Sequence, residues 1–212
     1  MKQFSPHLYC IFHRLGQMPS FIIEKSASQL ILVDTGLKST AKSLVRQITK
    51  KWGSLSKIKM IILTHRHLDH TGGIPYLLEL LPEVELVCHQ AEAPLFNEDF
   101  KEQNITITRT VKHNDYLDMK LKLRVIHTPG HSFGHICLLF EEDHLILVGD
   151  LFMDILGKLY PVFKKFNDDF LQWRTTLPFI MEYKWDFAIP SHMQAKKIPR
   201  DKVEAFIVKN KE

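Results

Sequence analysis

Short apolar runs alternate with polar punctuation along this chain, and the period of each run separates strands from helices. Between residues 7 and 36 stand three strand-like runs, "HLYCIFH", "SFIIEK" and "QLILVDTG", set apart by the turn formers Gly16, Pro19 and Ser26 to Ser28. They are expected as consecutive neighbours in one sheet. Ser39 is placed to cap a helix whose apolar residues Ala41, Leu44, Val45, Ile48 and Trp52 follow the three-and-four spacing of a buried face. "IKMIILT" reads as a buried strand, "GGIPYLLELL" as a short helix with Pro75 in its first turn, and "VELVCHQ" as a returning strand.

The second half continues in the same style. "ITITRTVK", "YLDMKLKLRVIHT", "HICLLF" and "LILVGD" read as strands, the last two joined by the tight turn "EEDH". Asn167, Asp168 and Asp169 open a helix that runs to about Met181 and bends at Pro178; the strand "DFAIP" and a last helix from Pro199 follow. No repeat or low-complexity linker interrupts the pattern. Two halves, each with strands first and helices after, predict two sheets packed together with helices outside.

Composition narrows the class. At 212 residues and 45% hydrophobic content, one compact domain over 1–212 is expected. Lys and Arg outnumber Asp and Glu by 28 to 24, a formal +4 too weak by itself to indicate nucleic acid; charge leaves the partner open, and only the candidate chemistry points to a small-molecule substrate. No run approaches the roughly 20 apolar residues of a membrane span. The amino end, "MKQFSPHLYCIFH", lacks the long apolar stretch of an export signal. Cys10, Cys88 and Cys137 are odd in number and lie in apolar runs, as buried thiols of a reducing compartment do, and the expected location is cytoplasmic. Nothing in the pattern addresses oligomeric state.

Chemistry concentrates in "THRHLDH", Thr64 to His70. A strand would put His65, His67 and Asp69 on one face and His70 on the other, while a helix would scatter His65 and His67 around its axis. A strand that ends at Thr64, turns, and starts a helix near Thr71 can point His65 and His67 one way and Asp69 and His70 slightly aside, which suits two adjacent metal sites. Imidazole nitrogen and carboxylate oxygen suit Zn²⁺ at about 2.0–2.2 Å, and a catalytic site needs three protein ligands with one position open. Four side chains cannot fill two such sites. His131 in "HTPGHS", Asp150 at the end of "LILVGD" and His192 in "PSH" stand at carboxyl ends of strands or in the loops after them, where sites usually form. With them, five histidines and two aspartates make seven ligands for a dinuclear centre if Asp150 bridges.

The order "VDTG", "THRHLDH", "TPGHS", "VGD" and "PSH", from Asp34 to His192, resembles the signature segments of the metallo-β-lactamase superfamily. The resemblance implies a four-layer αβ/βα sandwich, with two mixed β-sheets packed face to face and helices outside. It assigns His65, His67 and His131 to a first metal, Asp69, His70 and His192 to a second, and Asp150 to both. Asp34 is implied behind the ligands, where a carboxylate orients a ligating histidine. Ser191 departs from the glycine that many family hydrolases have before the last histidine, which puts the local turn in question.

Two zinc ions per chain are expected, with iron or manganese accepted by the same donors. Metals roughly 3.5–4 Å apart supply a bridging hydroxide near neutral pH, and Asp69 is the catalytic carboxylate placed to orient it and pass a proton to the leaving group. Within the superfamily, true β-lactamases typically lack aspartate at the bridging position. Hydroxyacylglutathione hydrolases carry a helical domain beyond the last ligand, where only residues 193–212 remain here. Flavodiiron enzymes need a glutamate in the cluster and a flavin domain, and ribonuclease Z relatives need an extended arm. An ester, lactone or thioester hydrolase is the expected function; a phosphodiesterase or nuclease of the same fold, or a noncatalytic metal-binding protein, is the alternative.

The remaining histidines, His7, His13, His89, His113, His127, His135 and His144, are read as structural or surface residues. Two features stay open between readings. Lys158, Lys164, Lys165 and the basic segment "QAKKIPRDK" form either an electropositive rim for an anionic substrate or a solvated face. Phe133, Phe152, Tyr160, Phe163 and Phe166 either line an apolar pocket or pack in the core.

Overall fold

The computed structural model describes residues 1–13, 19–193 and 195–210. Gly16, expected in a turn, and Gln194, the first residue of the basic segment, lie outside the described residues. The chain forms two compact units, Met1–Thr110 and Val111–Glu212.

The first unit carries a seven-stranded mixed sheet in sequential order: β1 (Lys2–Gln3), β2 (Leu8–Ile11), β3 (Ser20–Ser26), β4 (Gln29–Val33), β5 (Ile58–Ile62), β6 (Glu85–His89) and β7 (Arg109–Val111). The three expected amino-terminal strands are consecutive antiparallel neighbours, Leu8 opposite Ile23 and Phe21 opposite Val33. Pairing then turns parallel, β4 with β5 and β5 with β6, because helices lie in the connections. Those helices are α1 (Ala41–Trp52), α2 (Leu68–Thr71), α3 (Ile74–Leu80) and α4 (Ala93–Asp99).

The buried face of α1 is as expected, with Ala41, Leu44, Ile48 and Trp52 inside. Its cap is not: a 3₁₀ turn over Lys38–Thr40 precedes the helix, and no side chain caps either start. Pro75 sits in the first turn of α3. Helix α4 was absent from the pattern, since its seven residues give too little periodicity to register. Of "ITITRTVK" only Arg109–Val111 pairs as a strand. Leu32, Leu44, Ile48, Ile61, Leu77 and Phe96 belong to one core cluster.

In the second unit a six-stranded mixed sheet combines β8 (Tyr116–Asp118), β9 (Leu123–His127), β10 (Ile136–Phe140), β11 (Leu145–Gly149), β14 (Phe187–Pro190) and β15 (Ile198–Pro199); β12 (Met153–Ile155) and β13 (Lys158–Tyr160) pair separately. Its helices are α5 (Phe170–Thr176) and α6 (Arg200–Asn210). The long run 116–128 breaks into β8 and β9, with the carboxylate of Asp118 accepting from the Leu121 amide in the turn between them. β10 and β11 close on "EEDH" as expected, Phe140 opposite Leu145.

Of the three residues expected to open α5, Asp169 is its cap, accepting from the Gln172 amide at 2.9 Å. The helix passes into a 3₁₀ stretch, Leu177–Glu182, at Pro178, which removes a backbone donor where a bend was expected. The β12–β13 hairpin was missed. Its turn residues Leu156 and Gly157 have φ of 51° and 89°, the signs a two-residue hairpin turn requires. Ile126, Val148, Trp173, Leu177, Trp185 and Val203 belong to the core cluster of this unit. Among the described residues no helix is long and apolar enough to cross a membrane. Cys10, Cys88 and Cys137 are buried free thiols; burial pushes Cys10 up to about 12 and raises Cys88 and Cys137 likewise.

Candidate metal centre

Strand β5 delivers the cluster His65, His67, Asp69 and His70 just beyond its carboxyl end. The helix after it starts at Leu68, three residues before the expected position, so Asp69 and His70 ride on one helical turn while His65 and His67 precede it. His65 and His67 stand edge to face at 4.7 Å between ring centroids, and the His65 and His70 centroids are 4.0 Å apart. Asp69 Oδ2 is 4.0 Å from His70 Nε2. His65 and His70 are buried, His67 and Asp69 half-buried.

Asp34 fixes the two buried rings. Its carboxylate accepts from the Thr64 amide, the Thr64 hydroxyl and His70 Nδ1, each at 2.8 Å. A carboxylate has no proton to donate, so His70 carries its proton on Nδ1 and keeps Nε2 as the acceptor nitrogen. Because the Thr64 hydroxyl donates to Asp34, it receives from His65 Nδ1 at 3.1 Å, which sets the same tautomer in His65. Thr35 holds the other side of the turn, its amide and hydroxyl donating to the His70 carbonyl at 2.7 and 2.9 Å. Thus "VDTG" and "THRHLDH" lock together through the bonds of Asp34 to Thr64 and His70. Glu92 adds a support that sequence reasoning missed: it is buried and accepts from the Arg66 amide at 2.8 Å. No local pattern marks it, since its partner lies 26 residues earlier.

In the second unit Asp150 follows β11 directly. Its Oδ2 lies 2.7 Å from His192 Nε2 and 3.5 Å from His131 Nε2, so one carboxylate oxygen reaches both imidazoles. His131 and Asp150 are buried and His192 is half-buried. Close packing dictates the flanking glycines. Gly149 has φ 53°, and a Cβ there would lie 2.6 Å from His135 Nε2; a Cβ on Gly130 would lie 2.3 Å from the Trp173 backbone nitrogen. Ser191 fits the turn without strain: its amide donates to the Gly149 carbonyl at 3.0 Å, and the positive φ falls at Met193 instead.

His135 was read as structural, and it proves to be the residue that seats Asp150. Its Nε2 accepts from the Asp150 amide at 3.0 Å, so Nδ1 bears the ring proton and donates to Thr128 Oγ1 at 2.8 Å. The signal that could have found it is its place four residues after His131, in the same glycine-flanked loop. His13 and His127 are structural, as expected. His13 bonds Ser20, and burial lowers its pKa to about 4; His127 donates to the Phe133 carbonyl, and burial is the main cause of its lowered pKa.

Histidine and aspartate groups among the described residues could hold a metal ion. The donors fit one: borderline imidazole nitrogens and hard carboxylate oxygens suit zinc and other divalent first-row metals. The tautomers of His65 and His70 leave Nε2 of each ring as its acceptor nitrogen.

The chain matches the family model of the metallo-beta-lactamase superfamily over residues 14–204. It is 30% identical over 182 residues to the "Probable metallo-hydrolase YybB" of Bacillus subtilis, covering 80% of each protein. To an atrochrysone carboxyl ACP thioesterase of Pseudocercospora fijiensis it is 28% identical over 138 residues, 65% of this chain but 37% of that protein. The metallo-beta-lactamase of Pontibacter korlensis superposes with a TM-score of 0.77 at 16% identity, covering 100% of this chain and 98% of that one; at that identity the likeness concerns the fold alone. Two mixed sheets with helices, the ordered signature segments and a family match across nearly the whole chain agree: this protein belongs to the metallo-β-lactamase superfamily.

Proposed function

We propose that this superfamily hydrolase cleaves an ester, lactone or thioester at a dinuclear metal centre of two zinc ions, with iron or manganese acceptable. On this reading the chain works as one domain over residues 1–212. His65, His67 and His131 would hold one ion and Asp69, His70 and His192 the other, with Asp150 available to both. The observation that carries the proposal is the pinning of His65 and His70 by Thr64 and Asp34. A buried hydrogen-bond relay that fixes two tautomers is what ligating imidazoles need and what packing alone does not explain.

When loaded, such a centre would supply a water made nucleophilic near neutral pH and a cation against the carbonyl oxygen. Asp69, half-buried beside His70, orients the attacking water and passes a proton to the leaving group. Asp34 holds His70 through the cycle, and His135 holds Asp150 by its backbone. Thioesters lead the substrate classes, since a fungal relative is named an ACP thioesterase. The three buried free thiols support a reducing, cytoplasmic setting.

Metal analysis of the purified protein, joined to a panel of thioesters, lactones, simple esters and phosphodiesters, tests the proposal. Two metals per chain are expected, with acyl hydrolysis lost on chelation and restored by zinc. Asp69→Asn should cut turnover by about 10²–10⁴-fold with little change in melting temperature. Fewer than one metal per chain under replete conditions would sink the dinuclear reading, and faster hydrolysis of bis(p-nitrophenyl) phosphate than of any acyl substrate would move the assignment to phosphodiesters.

A further inference from the structure

The second unit contains a cavity of about 400 Å³ between the β12–β13 hairpin and the start of α5. Met153, Ile155, Val162, Phe163 and Phe170 wall it with carbon, and Lys164 also lines it. The open choice between pocket and core for the aromatics thus divides. Phe152 is fully buried core, Tyr160 and Phe163 line the cavity, and Phe133 and Phe166 are exposed.

Three features single this cavity out. First, the lining residue Phe163 is 62% exposed, and Leu156, Phe166 and Leu171, close to lining residues in sequence, are exposed as well; exposed apolar groups beside a cavity mark a binding surface. Second, cations gather on the same segment: Lys158 is exposed on β13, Lys164 stands 5.9 Å above the Phe170 ring, and Lys165 stands 4.8 Å above Phe166. Asp169, the nearest acid to Phe170 in sequence, is committed to capping α5. Third, the wall is tied to ligand-bearing loops of the same unit. The Asp168 amide donates to the His131 carbonyl at 3.1 Å, the Asp169 amide donates to the Gly130 carbonyl at 2.9 Å, and β12 begins three residues after Asp150.

We propose that this cavity binds the apolar chain of a small anionic amphiphile, an acyl or alkyl chain whose negative headgroup meets Lys164 and its neighbouring lysines. Its volume is at the small end of ligand pockets, which suits a chain of modest length. As a substrate subsite it rests on the acyl-hydrolase reading, and it gives that reading a substrate class: an apolar acyl group joined to an anionic portion. As a binding site it stands apart from turnover.

Isothermal titration calorimetry with hexanoate, octanoate, decanoate and decan-1-ol tests it, on the protein as purified and after chelation, with melting curves run on each. Each added methylene should tighten binding about three- to fourfold, and decan-1-ol should bind several-fold more weakly than decanoate at low salt. Ile155→Trp, which fills the cavity, should abolish binding. Lys164→Glu, at an exposed lining position, should weaken decanoate at least fivefold and leave decan-1-ol unchanged. Binding that persists in the chelated protein separates the cavity from any metal contact. No binding in either form, no dependence on chain length, or unchanged affinity in a folded Ile155→Trp variant would overturn the proposal. Retained binding without hydrolysis of any acyl substrate would instead overturn the acyl-hydrolase reading and leave the cavity assignment standing.

Discussion

Replacing Asp34 by Asn exchanges one carboxylate oxygen for an NH₂ group and tests the tautomer argument almost without changing shape. In the native protein the carboxylate accepts three hydrogen bonds at 2.8 Å, from the Thr64 amide, the Thr64 hydroxyl and His70 Nδ1. Asparagine can keep the amide bond through Oδ1, but its Nδ2 then faces two donors. The Thr64 hydroxyl can rotate and accept. His70 can relieve its own clash only by moving the ring proton to Nε2, which removes the lone pair a metal needs. The flipped amide is no escape, since it sets Nδ2 against the buried Thr64 N–H and leaves that donor unsatisfied, at a cost of about 1–3 kcal/mol. Folding stability of the metal-free protein should therefore fall modestly, by about 1–3 kcal/mol. Metal affinity should fall about 10–100-fold, the usual effect of removing a group that orients a ligand. Competition against a chromophoric chelator measures the affinity, and a metal-free melt measures the fold. If Asp34→Asn folds and binds metal within twofold of the wild type, the Asp34 relay does not set the His70 tautomer.

Two further predictions follow from other parts of the structure. Gly149→Ala puts a Cβ 2.6 Å from His135 Nε2 at a φ of 53°, and the left-handed backbone and the overlap together should cost about 2–5 kcal/mol; denaturant titration measures this, and a loss under 1 kcal/mol would show that His135 can move aside. His13, held neutral by burial with its pKa lowered to about 4, is protonated more readily in the unfolded chain. Stability from this group is present above the unfolded value near 6.5 and drains away as pH falls toward the folded value. His13→Gln should therefore flatten the pH dependence by about 2 kcal/mol between pH 7 and pH 5, and parallel stability curves for the two proteins would refute it.

Much of the architecture was readable because local signals and tertiary demands coincide. The runs at Leu8–Ile11, Ser20–Ser26 and Gln29–Val33 pair in the order their turns predict, and the apolar stripe of α1 is the stripe it buries. Departures cluster where the deciding contact is not local. The expected cap at Ser39 yields to a 3₁₀ turn, and the single run 116–128 breaks where Asp118 closes a turn on Leu121. Elements of three or seven residues, such as β12, β13 and α4, are too short for a period to be counted.

The sequence by itself determined the donor types, their spacing and their order, because "THRHLDH" and the outlying His131, Asp150 and His192 are chemistry written directly in residue identity. Only tertiary structure decided which atoms of those residues are available. The tautomers of His65 and His70 depend on Asp34, some 30 residues away in the chain; the seat of Asp150 depends on a histidine that no ligand motif includes; and the apolar residues after Asp150 divide between core and cavity according to the path of a hairpin. The physical reason is the same in each case. Hydrogen-bond direction and burial are properties of pairs of groups, and the pairs that matter here form across long stretches of chain.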